Sequence, residues 1–216
     1  KDGSCNGLYA CFGSKIGLVL GGSCVGVNSC RFVGLINTAV GTISASCKGD
    51  ISCYKLGYYG TVGDLEDSCN GVYACKSMAG GLFISGSVGN LVNSCNAFLA
   101  CEKMAFVGKV GNLEDSCNKQ GACDSMSDNG RVGNLVNSCN GVDACAVMAF
   151  RGTVSDLEDS CNEVDACKFM ADGDGNPLYG GYVGGLVNSC NGVEACESMA
   201  RIGSVRGGDR KRLQRK

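Results

Sequence analysis

Eighteen cysteines are the residues of this 216-residue chain with the most chemistry to offer, and each belongs to a pair with five residues between its members. The pairs are Cys5/Cys11, Cys24/Cys30, Cys47/Cys53, Cys69/Cys75, Cys95/Cys101, Cys117/Cys123, Cys139/Cys145, Cys161/Cys167 and Cys190/Cys196. Thiols at this density either pair as disulfides in an oxidising compartment or hold metal ions in a reducing one. Metal sites favour C-x2-C spacing and often recruit His, and this chain has no His and no C-x2-C. The pattern therefore predicts nine disulfides and a secreted, extracellular or cell-surface location. Closure within each C-x5-C is the preferred connectivity; staples between adjacent pairs leave the same even count and stay open.

The absence of His also removes the usual catalytic triads, His acid–base catalysis and His metal sites. Carboxylates remain the acid–base candidates. Asp64, Glu66 and Asp67, with copies at Glu114/Asp115 and Asp156/Glu158/Asp159, have the chemistry of a polysaccharide-cleaving or Ca2+-binding groove. A catalytic site is usually unique, however, and these residues recur, which favours a solvated polar edge. Asp172, Asp174 and Asn176 resemble the start of a Ca2+ loop, but Val183 stands where the twelfth-position Glu would be, so a surface loop is expected. Six Met share one repeat position, which suits core packing better than soft-metal binding. The expectation is no enzyme, no cofactor and no metal site.

Charge is unevenly spread. Residues 201–216 carry seven Lys/Arg against Asp209 alone, a net of +6, leaving −8 on the rest. The basic tail, with Arg206, Arg210, Lys211, Arg212, Arg215 and Lys216, lacks the aromatic interleaving of a nucleic-acid surface and is the candidate assembly segment. No run of residues is long and apolar enough to span a membrane as a helix. Lys1-Asp2-Gly3 is not a signal peptide, so an upstream segment is expected to have been removed or to lie in a longer parent protein.

The elements that position these residues are repeats. First cysteines follow one another at 19, 23, 22, 26, 22, 22, 22 and 29 residues, so a 22-residue unit is the common beat. The unit reads V-G-x-L-x-x-S-C-N-G-x-x-A-C-x-x-M-A-x-x-G-x. Extra residues fall after Met-Ala, at Gly80–Gly86 and Asp172–Tyr182. Val62, Val88, Val110, Val132, Val154 and Val183 form one column, and Leu65, Leu91, Leu113, Leu135, Leu157 and Leu186 another. Identical columns arise when stacked coils lay each side chain on its own copy. Before the first Cys, Leu-Glu-Asp alternates strictly with Leu-Val-Asn. Because like charges directly opposite each other destabilise a sheet, the alternation separates acidic rungs; an inherited 44-residue duplication would leave the same pattern.

Half-cystines bridge only when their Cα atoms lie within about 7 Å, whereas six extended residues span about 20 Å, so the chain turns between them. Asn-Gly at Asn6, Asn70, Asn140 and Asn191, with Asn96-Ala97 as a near match, is expected to supply positive-φ turn positions, and the Asn column to hydrogen-bond along the stack. The whole pattern predicts an all-β, disulfide-laddered parallel β-helix, a β-solenoid of about nine 22-residue coils. The alternative is a strand-plus-helix solenoid of leucine-rich-repeat type, since Val142, Cys145, Met148 and Ala149 have helical spacing. Residues 1–203 are the solenoid, with three divergent rungs over 1–59 and six regular rungs over 60–203, followed by the basic tail over 204–216.

The motif S-C-N-G-x-x-A-C, as in Ser4–Cys11, Ser68–Cys75, Ser138–Cys145 and Ser189–Cys196, resembles the cysteine-rich SCNGxxAC repeat proteins of diatoms and related stramenopile algae. The likeness covers about residues 60–203 well and 1–59 loosely, where Cys24-Val25 and Cys47-Lys48 depart from it. It implies secretion and a repeat scaffold, and brings no catalytic residues.

These observations predict an extracellular structural repeat protein that assembles into or decorates a surface fibre, flagellar hair or cell wall. Its expected partners are copies of itself or other extracellular structural proteins, with polysaccharide a further candidate, and neither nucleic acid nor a membrane span. Ser4-Cys5-Asn6-Gly7 opens a rung with no cap ahead of it, and exposed strand edges invite a neighbour. A monomeric module binding carbohydrate or Ca2+ is the alternative. A polysaccharide-active β-helix enzyme ranks lower, and so does an ice-binding face, because only Thr38, Thr42, Thr61 and Thr153 are available to build one.

Overall fold

A computed structural model describes residues 3–34, 38–80, 86–171, 181–200 and 204–205. V-G-x-L gives each regular coil two short strands separated by a two-residue kink, Gly-containing in every coil except at Ser155-Asp156, because the β-branched Val before the kink and the Leu after it both bury their side chains. One parallel sheet of eight strands runs Leu18–Leu20, Thr42–Ser44, Leu65–Glu66, Leu91–Val92, Leu113–Glu114, Leu135–Val136, Leu157–Glu158 and Leu186–Val187. A second, of seven, stacks Thr61–Val62, Ser87–Val88, Lys109–Val110, Arg131–Val132, Thr153–Val154, Tyr182–Val183 and Ser204–Val205. The last of these lies within the segment that opens the basic tail. Six coils thus carry both strands, whereas the two before them add strands to the first sheet alone. The Leu and Val columns are exact in register, Leu65 on Leu91 and Val62 on Val88 and onward.

The chain is an all-β parallel solenoid, and among the described residues none is helical, which removes the strand-plus-helix alternative. Ala, Cys, Leu, Met and Val fill its interior: Met78, Met104, Met126, Met148 and Met170 are fully buried, and Met199 packs against the same core. Helical spacing at Val142, Cys145, Met148 and Ala149 has another origin. The segment between and after the half-cystines is a run of overlapping four-residue turns, Ala144 N to Gly141 O at 3.3 Å, Ala146 N to Asp143 O at 3.2 Å and Met148 N to Cys145 O at 3.2 Å.

Positive φ is where the sequence misleads. It was expected at Asn-Gly, but neither Asn70 nor Gly71 adopts it. The left-handed positions are instead Asp67 (46°), Cys69 (57°), Tyr73 (59°), Ser77 (57°) and Ala79 (50°), and their equivalents along the stack. A side chain there costs about 1–2 kcal/mol per residue; the compensation is that each conformation aims an N–H at a neighbouring coil. Asp67 N reaches back to Ser44 O at 3.2 Å, and Cys69 N reaches forward to Ser94 O at 3.0 Å. A different demand selects Gly at 60, 86, 108, 130, 152 and 181, where the next coil passes too close for a Cβ. One built on Gly130 would lie 1.8 Å from Ala149 O.

One column changes direction partway along. Cys30, Cys53, Cys75, Cys101 and Cys123 donate their N–H to the preceding coil, Cys123 to Ala100 O at 2.7 Å. Cys145 and Cys167 donate to the following coil, Cys145 to Ala166 O at 2.9 Å. With the reversal, φ becomes positive at Cys145, Cys167 and Cys196 (58°, 59° and 59°). The Ala–Cys peptide has flipped as between a type I and a type II turn.

Candidate functional site

All nine cysteine pairs close within their own C-x5-C, with Cα–Cα distances of 5.4–5.7 Å. This settles the connectivity in favour of one bridge per rung. The seven inner bridges have no solvent exposure, while Cys5, Cys11, Cys190 and Cys196 are partly accessible. A seven-residue loop closed this way is worth about 2.4 kcal/mol in the chain-entropy account.

Three side-chain ladders complete the coils. In the buried Ser column, Ser68 N donates to Ser46 Oγ (2.9 Å), Ser94 N to Ser68 Oγ (3.0 Å) and Ser116 N to Ser94 Oγ (3.1 Å), while each hydroxyl donates to the carbonyl two residues before it. In the Asn column, Asn70 N donates to Asn96 Oδ1 (3.1 Å), Asn96 N to Asn118 Oδ1 (3.1 Å), and so on to Asn191. Asn96, Asn118, Asn140, Asn162 and Asn191 also donate their Nδ2 to the carbonyl just before Ser-Cys in the preceding coil. The sequence foresaw stacking of this column, though the contact is side chain to backbone. A third ladder, at the x of V-G-x-L, was not foreseen: Asp64, Asn90, Asn112, Asn134 and Asp156 each present Oδ1 to the backbone N–H of the preceding coil at 2.6–2.9 Å. Its signal is a column holding only Asp and Asn in five successive units.

This placement decides what the candidate carboxylates can do. Asp64 and Asp156 are occupied as ladder acceptors. Glu66, Glu114 and Glu158 stand on the outer face of the first sheet, each facing Val92, Val136 or Val187 in register, so like charges sit two strands, about 9.6 Å, apart. The structure brings no pair of them together. Asp172, Asp174, Asn176 and the tail residues Arg206, Arg210, Lys211, Arg212, Arg215 and Lys216 lie outside the described residues. Cys24, Cys30 and Cys47 have sulfurs close enough to share a metal, but all three are committed to disulfides.

Two clusters were missed by the sequence reading. On the position after the second half-cystine, buried Glu102 pairs with Lys76 (3.1 Å) and approaches Lys103 (3.8 Å). In the next coil, burial pushes the Asp124 carboxyl above its ordinary range; the Ser125 hydroxyl partly offsets this, and the charge of Glu102 adds to it. On the first three coils, Tyr9, Phe12, Phe32 and Tyr54 contact edge to face, with the Arg31 guanidinium 4.6 Å from the Phe32 ring centre. Tyr9 is 56% and Phe12 55% exposed.

These features define a disulfide-laddered parallel β-solenoid, with no helix among the described residues long and apolar enough to cross a membrane. Residues 1–97 are similar to a family described as "Domain of unknown function (DUF7640)". No curated protein and no solved structure matches the chain.

Proposed function

We propose that this protein is an extracellular structural element that assembles with copies of itself or with other extracellular structural proteins, as in a surface fibre, flagellar hair or cell wall, and that it performs no catalysis. The observation that carries this is the ladder system. Each coil is completed by groups from the next, and polar side chains that would serve a reaction are spread along the stack at fixed intervals instead of converging. A ladder of this kind propagates from coil to coil without a preferred length. Nine disulfides, seven of them closed to solvent, fit an oxidising location, and the likeness to the SCNGxxAC repeats agrees with a secreted scaffold. The acidic body and basic tail suit docking of one copy's tail on another.

The test is sedimentation of the full chain and of a chain lacking residues 206–216, at low and high ionic strength, with electron microscopy of the same samples. Association that weakens with salt and with loss of the tail is expected, because exposed charge contacts are screened. Two chains that both sediment as monomers at every salt concentration would overturn assembly. A second reading, a module binding carbohydrate, is favoured by the exposed rings of Tyr9 and Phe12. It predicts that insoluble polysaccharide depletes the protein from solution, and that the Tyr9→Ala/Phe12→Ala variant stays in the supernatant.

A further inference from the structure

The alternation before the first half-cystine has a chemical consequence beyond charge. Asp67, Asp115 and Asp159 alternate with Asn93, Asn137 and Asn188, and each is followed by Ser and then Cys. Asn-Ser-Cys is an acceptor sequence for N-linked glycans, with the thiol in the place of the more usual hydroxyl two residues on; Asp-Ser-Cys is not. Folded structure then sorts the Asn residues. Asn70, Asn96, Asn118, Asn140 and Asn162 are half-buried and hold neighbouring backbone groups. Asn90, Asn112 and Asn134 are tied up as ladder acceptors. By contrast, the side chains of Asn93, Asn137 and Asn188 are exposed on the first sheet's flank and take part in no ladder. Asn28 also precedes Ser-Cys, but it is half-buried and accepts a hydrogen bond from Arg31 at 3.3 Å.

We propose that Asn93, Asn137 and Asn188 are N-glycosylation sites, so that glycans stand on alternate coils along one flank; this rests on the extracellular reading above. The amide nitrogen would take the sugar from a polyprenyl-pyrophosphate-linked oligosaccharide. A bond forms between Nδ2 and the anomeric carbon, the bond from that carbon to the pyrophosphate oxygen breaks, the amide proton goes to the transferase base, and polyprenyl pyrophosphate leaves. Cys95 and Cys139 are fully buried in disulfides after folding, so transfer precedes closure of those bridges, and partial occupancy follows from that competition. Glycans here keep the first sheet's flank clear of neighbours, which leaves the ends of the stack and the second sheet for assembly.

The experiment is secretion of the full chain from a eukaryotic host, with the disulfides mapped in the same preparation. Deglycosylation by a peptide N-glycosidase in 18O water should convert Asn93, Asn137 and Asn188 to 18O-labelled Asp in a fraction of molecules. Asn137→Asp should remove one glycan and leave nine bridges, since Asp already occupies this column in the flanking coils. A secreted protein with all nine bridges closed and no label at the three positions overturns the sites and leaves the extracellular reading intact. Free cysteines throughout the secreted protein would instead overturn that reading, and the sites with it.

Discussion

Replacing Asn118 with Ala tests whether the ladders hold the coils together. The side chain accepts from Asn96 N–H at 3.1 Å and donates to Asn93 C=O at 2.7 Å, so the change deletes both bonds and strands a donor and an acceptor in the preceding coil. A net hydrogen bond contributes about 0.5–1.5 kcal/mol, and a stranded buried partner adds about 1–3. This column is half-buried, so water relieves part of that penalty, and a total loss of about 1–3 kcal/mol is expected. Guanidinium unfolding with the disulfides intact measures it. Lys119→Ala, one exposed residue away, is the control and should stay within about 0.5 kcal/mol of the parent. Because coils in such a stack couple to nearest neighbours, amide exchange should quicken at Asn96 and not at Asn162, whose N–H is held by Asn191 at 3.1 Å. A variant as stable as the Lys119 control, with Asn96 still protected, would refute the ladder argument.

Gly130→Ala would force a Cβ to within 1.8 Å of a backbone carbonyl, and overpacking of this kind costs about 1–3 kcal/mol or more; a clear drop in Tm is expected, whereas Gly192→Ala, whose Cβ meets nothing nearer than 3.7 Å, should be tolerated. Asp124→Asn should raise Tm at neutral pH: its carboxyl has a raised folded-state pKa, so the wild type loses stability as pH climbs from the ordinary carboxylate value through the raised one, and the two proteins should converge below that window. Limited reduction followed by alkylation should label Cys5, Cys11, Cys190 and Cys196 before any inner cysteine, because the seven inner bridges are closed to solvent. Cys139→Ala/Cys145→Ala should cost at least the ~2.4 kcal/mol of loop closure, read by denaturant unfolding.

Stacking was legible in the sequence because identical columns are what stacking leaves behind: Val62 through Val183 and Leu65 through Leu186 gave both the fold and its register. The corners were not. Positive φ at Cys69, Tyr73 or Val147 contradicts local propensity, and only contacts to coils 22 residues away make it favourable, which single-residue reasoning does not see. Asp64 and Asp156 looked like free carboxylates for the same reason. A residue's neighbour one coil on, not its neighbour in sequence, determines whether its oxygen is available.

The flipped peptide column gives the molecule an internal boundary. A trans peptide points its C=O opposite to its N–H. Ala122 C=O is therefore directed toward the following coil and Ala144 C=O toward the preceding one, two acceptors converging on the same gap with no donor between them. Every other junction along this column is stitched, and this one is not. In this row the peptide dipoles of the coils up to Cys123 and from Cys139 onward oppose each other across the join, while the side-chain ladders still cross it, Ser138 N to Ser116 Oγ and Asn118 N to Asn140 Oδ1 each at 3.0 Å. The junction between the sixth and seventh coils is thus one hydrogen bond poorer in this row than the junctions on either side of it.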